Sequence, residues 1–255
     1  MTDTSSVEPM RAAEPFRADL RRSVRLFSAF RKEQTDPDFF YGLLARDTVA
    51  QLTAYTPLAG KLVLDVGGGP GYFADALREA GARPVCVDCD AGEMSMRDGS
   101  PPEGAILGSA LDLPLRDGAV DVCFSSNVLE HVPDPWRMTG EMVRVTRPGG
   151  LIYLSFTNWL SPWGGHETSP WHYLGGHRAA RRYERVRGKR PKNVYGESMY
   201  AVSVGAALRW ARACSEIDVV DALPRYHPHW AGPVIQIPGL REFVTWNLLL
   251  VLRRR

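Results

Sequence analysis

One bend constrains this chain more than any other feature in it: Val63-Leu64-Asp65-Val66-Gly67-Gly68-Gly69-Pro70-Gly71-Tyr72. An apolar run meets four glycines in five positions and continues into a segment of helical period. Glycine tolerates positive φ and lets the backbone come close to a ligand where a Cβ would collide. A strand that turns into a helix this way aims free N–H groups at whatever lies beyond the bend. Asp65, at the strand end, is placed to accept hydrogen bonds from the loop amides and from a ligand ammonium. Asp88 closes the next apolar run, Val85-Cys86-Val87. A carboxylate roughly 20 residues past such a turn can receive both hydroxyls of an adenosine ribose.

Around the bend, strand and helix signals alternate. Strands are expected at 61–66, 84–87, 105–107, 120–125, 151–156, 216–221 and 244–253, with helices at 72–80, 136–146 and 202–213. Such alternation builds a mostly parallel sheet with helices on both faces, so the fold class is α/β and Rossmann-like, with seven strands. Residues 1–15 are polar and read as a disordered tail. Residues 16–56 read as an N-terminal helical cap, and 57–255 as the catalytic domain. In the cap, Phe16, Leu20, Val24, Phe27 and Phe30 recur at helical spacing and are expected to pack inward, with Arg17, Arg21, Arg22 and Arg25 opposite. Asp36-Pro37 opens a second helix over 38–55. Between about 157 and 200 the rhythm breaks into a segment rich in Gly, Pro, Trp, His, Tyr and Arg, an insert after the fifth strand suited to holding an acceptor.

Three readings of the bend compete. It can be a tight turn with no ligand. It can be a dinucleotide turn, since Gly69 to Ala74 satisfies G-x-G-x-x-A, although that match begins after the first turn glycine. Or it is D-x-G-x-G-x-G, met in register by Asp65, Gly67, Gly69 and Gly71. The last resembles motif I of class I S-adenosylmethionine-dependent methyltransferases, and about residues 60–157 are similar to their type 11 group. Gly108-Ser109-Ala110-Leu111-Asp112-Leu113-Pro114 resembles the segment that cups adenine. Ser125-Ser126-Asn127-Val128-Leu129-Glu130-His131-Val132 resembles the segment after the fourth strand, and Arg144 to Gly150 the turn into the fifth. The ends, including Gly164-Gly165-His166-Glu167, are similar to an uncharacterised actinobacterial subgroup. The resemblance implies S-adenosylmethionine as cofactor, held by Asp65, Gly67, Gly69, Gly71, Asp88, Ser109, Ala110 and Asn127. Ser109 stands where the family often has an acid. The expected reaction is in-line methyl transfer to a small-molecule acceptor, with O-methylation favoured over N- or C-methylation. The alternatives are an NAD-dependent oxidoreductase and a non-catalytic cofactor-binding protein.

A sulfonium methyl needs chiefly an aligned acceptor, and alignment contributes up to roughly 7–11 kcal/mol. A base is needed only where the acceptor holds its proton. His166 is the first candidate, with Glu167 and His172 next; each of these can equally cap a loop or pack on a tryptophan. His131 is expected to close the cofactor site, and Phe40 and Tyr41 either cover the cofactor or pack as core. No metal ligand set is read from the spacing, and Cys86-x-x-Cys89 has no second pair, so small buried residues account for it better than zinc or redox chemistry.

Thirty-one basic against 29 acidic residues give a net charge of +2, so no nucleic-acid partner is expected. Arg178 to Lys192 carries six arginines and two lysines against Glu184 alone. That face is either solvated or meets an anionic acceptor. The basic first helix could also rest on an anionic membrane, though packing on the domain is favoured. The first residues lack the pattern of a secretory signal, and the longest apolar run, Leu248 to Leu252, is far short of the ~20 residues that span a bilayer. The expected location is the cytoplasm.

Overall fold

The computed structural model describes residues 16–255, so the tail expected over 1–15 lies outside the described residues. The sheet has seven strands in the order β3-β2-β1-β4-β5-β7-β6. These are β1 (Leu62–Val66), β2 (Arg83–Asp88), β3 (Ala105–Leu107), β4 (Val120–Ser126), β5 (Thr146–Thr157), β6 (Ile217–Pro224) and β7 (Asn247–Arg254). All neighbours are parallel except β7, which runs antiparallel to both β5 and β6. Eight helices accompany them: α1 (Leu20–Phe30), α2 (Pro37–Thr53), α3 (Tyr72–Glu79), α4 (Ala91–Met94), α5 (Pro135–Val145), α6 (Gly176–Arg187), α7 (Val204–Ala213) and α8 (Leu240–Val244).

Because successive strand residues point to opposite faces, the central strands feed two cores. Leu64, Cys123, Ile152 and Leu154 pack with Met138, Met142 and Leu208 from α5 and α7. Val63, Phe124, Leu151 and Tyr153 pack on the other face with Val49 and Leu52 of α2 and Leu77 of α3. A strand buried on both faces has to be apolar throughout, which is why β7 reads Leu-Leu-Leu-Val-Leu.

The expected seventh strand over 244–253 divides: its first residue belongs to α8, and pairing begins only at Asn247. The cap requires a larger correction. Asp19 caps α1, its side chain accepting from the Arg22 N–H at 2.7 Å. The helix then buries Arg22, Leu26 and Ala29, while Leu20 and Val24 stay 60% exposed. The partner helix supplies the reason. Asp47 of α2 is itself buried, and both its carboxylate oxygens receive Arg22 Nε at 3.0 Å, with Nη2 at 2.7 Å from Oδ2. Arg22 Nη1 also donates to the Arg225 carbonyl at 2.9 Å. A buried carboxylate left alone is costly, and a forked guanidinium satisfies it. Leu26 and Ala29 complete this seam against Phe40 and Leu44. Periodicity shows that a helix has two faces; the buried acid opposite decides which one turns inward.

Candidate active site

The glycine bend connects β1 to α3. Gly67, Gly69 and Gly71 all have positive φ, at 74°, 48° and 87°. A Cβ on Gly67 would collide with Val128, and one on Gly68 with Cys86 Sγ, so both glycines are required by close packing. Gly69 differs: nothing lies within 4 Å of its hypothetical Cβ, and its backbone faces open space. Its N–H donates to Asp88 Oδ2 at 3.0 Å, and the Asp90 N–H donates to Oδ1 at 2.9 Å, which fixes the carboxylate beside the bend. Asp65 is buried, and its Oδ2 has no hydrogen-bond partner. Burial first, and the Asp88 charge second, push its carboxyl up to about 7.

Three parallel strands end side by side here. The Ser125 hydroxyl donates to the Val66 carbonyl at 2.9 Å, and the Asn127 N–H donates to the Ser155 carbonyl at 2.9 Å. Asn127 itself has φ 60°, and its Oδ1 accepts from Asn247 Nδ2 at 2.6 Å. Beyond β3, the Gly108 N–H donates to the Asp88 carbonyl at 2.9 Å. That brings Ser109 and Ala110 to the same edge. The Ser109 hydroxyl accepts the Leu111 N–H at 3.1 Å and keeps its own proton to donate.

Past β5, a second cluster forms. Glu130 is buried; its Oε1 accepts the Thr157 N–H at 2.8 Å, while Oε2 has no partner. His131 and His166 meet edge to face with ring centroids 5.1 Å apart. His131 Nδ1 lies 2.8 Å from the Ser198 carbonyl, so the insert orients that ring. His166 has φ 48° and a buried Nε2 without a partner. Burial first, then the neighbouring His131, lower His166 to about 4, and the Glu130 carboxylate opposes them. The ring is therefore neutral at pH 7, with Nε2 not engaged by any neighbour. One ligand atom from each of Glu130, His131 and His166 lies within 4.8 Å of the others, so these three are the described residues that could also grip a divalent cation.

Two further expected candidates, Glu167 and His172, make their contacts elsewhere in the insert, the His172 ring lying against Gly165. The Glu167 carboxylate accepts from the Lys192 N–H at 3.0 Å and from Asn193 Nδ2 at 3.1 Å, tying the insert together. His172 is 1% exposed, has Nε2 3.2 Å from the Ser161 carbonyl, and packs on Trp159 and Tyr173. Both are held by contacts within the insert, and His172 keeps a buried Nδ1 without a partner.

The architecture and the bend find counterparts among known proteins. A methyltransferase-domain family model, type 11, matches residues 64–154. An uncharacterised methyltransferase of Mycolicibacterium gilvum is 55% identical over 246 residues, covering 93% of this chain and 96% of the relative. The chain belongs to the S-adenosylmethionine-dependent methyltransferases. Another relative, from Mycobacterium sp. strain KMS, is 53% identical over 96% of this chain and 100% of its own length. In fold, the methyltransferase is similar to a Mesorhizobium loti S-adenosylmethionine-dependent methyltransferase, with a TM-score of 0.57 at 19% identity, covering 82% of this chain and 98% of that one. The dinucleotide alternative falls with the sheet order: an antiparallel β7 is inserted between β5 and β6, where a dinucleotide fold continues parallel.

The residues present fit the cofactor. Asp65 leaves an unpartnered carboxylate oxygen at the bend, suited to an ammonium, and Gly68 leaves room beside it, where a Cβ would lie 2.8 Å from that oxygen. Tyr41 of the cap stacks on Tyr72 at 5.4 Å, at the start of α3, while Phe40 is core. Reading the sequence missed Glu130 as a site residue. It also missed Arg225, which is fully buried and donates to Ser126 Oγ at 2.8 Å, Ser155 Oγ at 2.6 Å and Thr48 Oγ1 at 2.6 Å. The only available signal for Arg225 was an arginine inside an aromatic loop, which is weak.

Proposed function

We propose that this methyltransferase methylates a hydroxyl of a small molecule that has a flat or apolar part, and that His166 receives the hydroxyl proton. The observation that carries the reading is the neutral His166, its Nε2 unpartnered, clustered with Glu130, whose Oε2 is also unpartnered; one ligand atom of each lies within 4.8 Å of the other. When bound, S-adenosylmethionine supplies a methyl group already activated by its sulfonium. What the chain adds is position and proton transfer. Asp65 and Asp88 orient the cofactor ends, with Ser109, Ala110 and Asn127 along its length. Trp159 and Trp163 precede the Gly164-Gly165-His166 segment and offer flat surfaces to the acceptor. As His166 becomes an imidazolium, Glu130 offsets its charge, a contribution that is larger in a buried site than in water. Exposed Arg178, Arg181 and Arg185 on α6 suit an anionic group on the acceptor.

Four unpaired cysteines, two of them buried in strands, accord with a reducing compartment, and we place the enzyme in the cytoplasm. Among the described residues no helix is long and apolar enough to cross a membrane. A radiolabelled-methyl screen across phenols, carboxylates, amines, proteins and RNA tests the proposal. Transfer to small hydroxyl compounds that is lost in His166→Ala supports it. Transfer confined to protein or RNA, or undiminished in that variant, overturns it.

A further inference from the structure

The outward face of α1 is built the wrong way round for a soluble helix. Leu20 and Val24 are 60% exposed and Phe27 is 37% exposed, while the buried face contains a charged Arg22. At 100° per residue, Arg21 and Arg31 lie within about 60° of Val24, on the same exposed side, and Arg17 stands in the segment that leads into the helix. All three are exposed, and among the described residues the ion pairs of α1 are those of Arg22 and Arg25 with Asp47.

This apolar line continues past both helix ends. At its start, the Ala18 carbonyl accepts the His229 N–H at 2.7 Å, which brings the segment carrying Trp230, 67% exposed, to the N-terminal end of α1. At its far end, Phe27 meets Trp163 at 6.1 Å and Trp246 at 5.5 Å. Trp163 is itself 37% exposed and stands three residues before His166. Phe243, half exposed, extends the same rim toward Tyr173.

We infer that the α1 face, with Trp230 and Trp163 at its two ends, docks on an anionic lipid surface. Aliphatic side chains in the centre, tryptophans at the margins and arginines with long stems at their side are the composition of an interfacial helix. Arginine stems lie along apolar surface while their guanidinium groups reach phosphates. Charge also discriminates among occupants. A second copy meeting this face across a two-fold axis would set Arg17, Arg21 and Arg31 against their own equivalents, whereas an anionic bilayer neutralises them. Docked this way, the enzyme holds Trp163, and the acceptor segment behind it, at the level of the headgroups.

Vesicle sedimentation tests the inference on the full chain, with phosphatidylcholine vesicles compared with vesicles that also contain phosphatidylglycerol. The wild type should sediment with the anionic vesicles and be released by salt. Leu20→Asp with Val24→Asp should weaken sedimentation at least about tenfold, because two aliphatic side chains no longer insert. Arg17→Gln, Arg21→Gln and Arg31→Gln should each weaken it about fivefold. These positions are exposed, so every variant should keep the thermal shift produced by S-adenosylhomocysteine. A variant that loses that shift is replaced by a readout on the wild type: brominated lipid should quench its tryptophan fluorescence. Absence of wild-type sedimentation, sedimentation indifferent to the Leu20/Val24 change, or no quenching overturns the inference. So does a wild-type dimer in light scattering that the Leu20/Val24 change dissociates, since the face then belongs to a second copy. S-adenosylhomocysteine binding without vesicle binding sinks only the docking surface and leaves the methyltransferase reading intact.

Discussion

The glycine bend and the Glu130–His166 cluster solve opposite problems. At the bend, the backbone does the work: Gly69 faces open space, and Asp88 is held by the N–H groups of Gly69 and Asp90. At the cluster, side chains from distant segments converge, and the backbone is forced to deliver them. Gly164 and Gly165 admit no side chain, since a Cβ would strike the Trp159 backbone or the His172 ring. The next residue, His166, stands at positive φ. The cofactor end is therefore set by local geometry. The acceptor end depends on contacts between the sheet, the insert and the cap.

This contrast is open to experiment. The largest expected effect is at the cluster: His166→Ala should lower kcat about 10²–10⁴-fold while leaving S-adenosylhomocysteine affinity unchanged. Calorimetry alongside turnover checks both halves of that statement. Arg22→Ala should destabilise the protein by about 3–5 kcal/mol, since it leaves Asp47 buried with only the long Arg25 contact. Urea unfolding measures it, and an unchanged midpoint would mean the cap is not held by this pair. Asp88→Ala should weaken S-adenosylhomocysteine about a hundredfold, as it removes charged acceptors from the ribose side and frees the Gly69 amide.

A pH series probes Asp65. Its folded carboxyl is raised to about 7 against an ordinary 3.8, so for the free protein the unfavourable ionisation develops as pH rises from about 4 to 7, and stability from this group falls over that window. Binding an ammonium requires the ionised form. Affinity for S-adenosylhomocysteine should therefore fall as pH drops below about 7, approaching tenfold per unit. The Asp65→Asn variant should flatten that slope. The smallest effect is expected at Glu167→Gln, which keeps the contacts to Lys192 and Asn193 in altered form. A change in kcat beyond about threefold would give Glu167 a part in catalysis beyond its contacts to Lys192 and Asn193.

The cofactor end could be read from the sequence because its chemistry is contiguous: strand, bend and acid follow one another in register, from Val63 to Asp88. The sheet was legible for the same reason, each strand being a short apolar run. Harder features depend on what lies opposite. Leu20 and Val24 carry the strongest helical period in α1, yet Asp47, 25 residues after Arg22, turns that stripe outward. Glu130 belongs to a recognisable segment, but its orphaned oxygen becomes meaningful only once His166 arrives beside it. Arg225 offers no periodic signal at all, although it joins α2, β4 and β5.

The antiparallel β7 has a consequence for the order of assembly. Strands β1 to β5 can pair with one another as soon as they are made, but β6 has no place beside β5. It must wait for β7 to slide between them, with seven register pairs on one side and seven on the other. Until then β5 presents a bare hydrogen-bonding edge. The nascent chain is most open to illegitimate strand pairing during that interval.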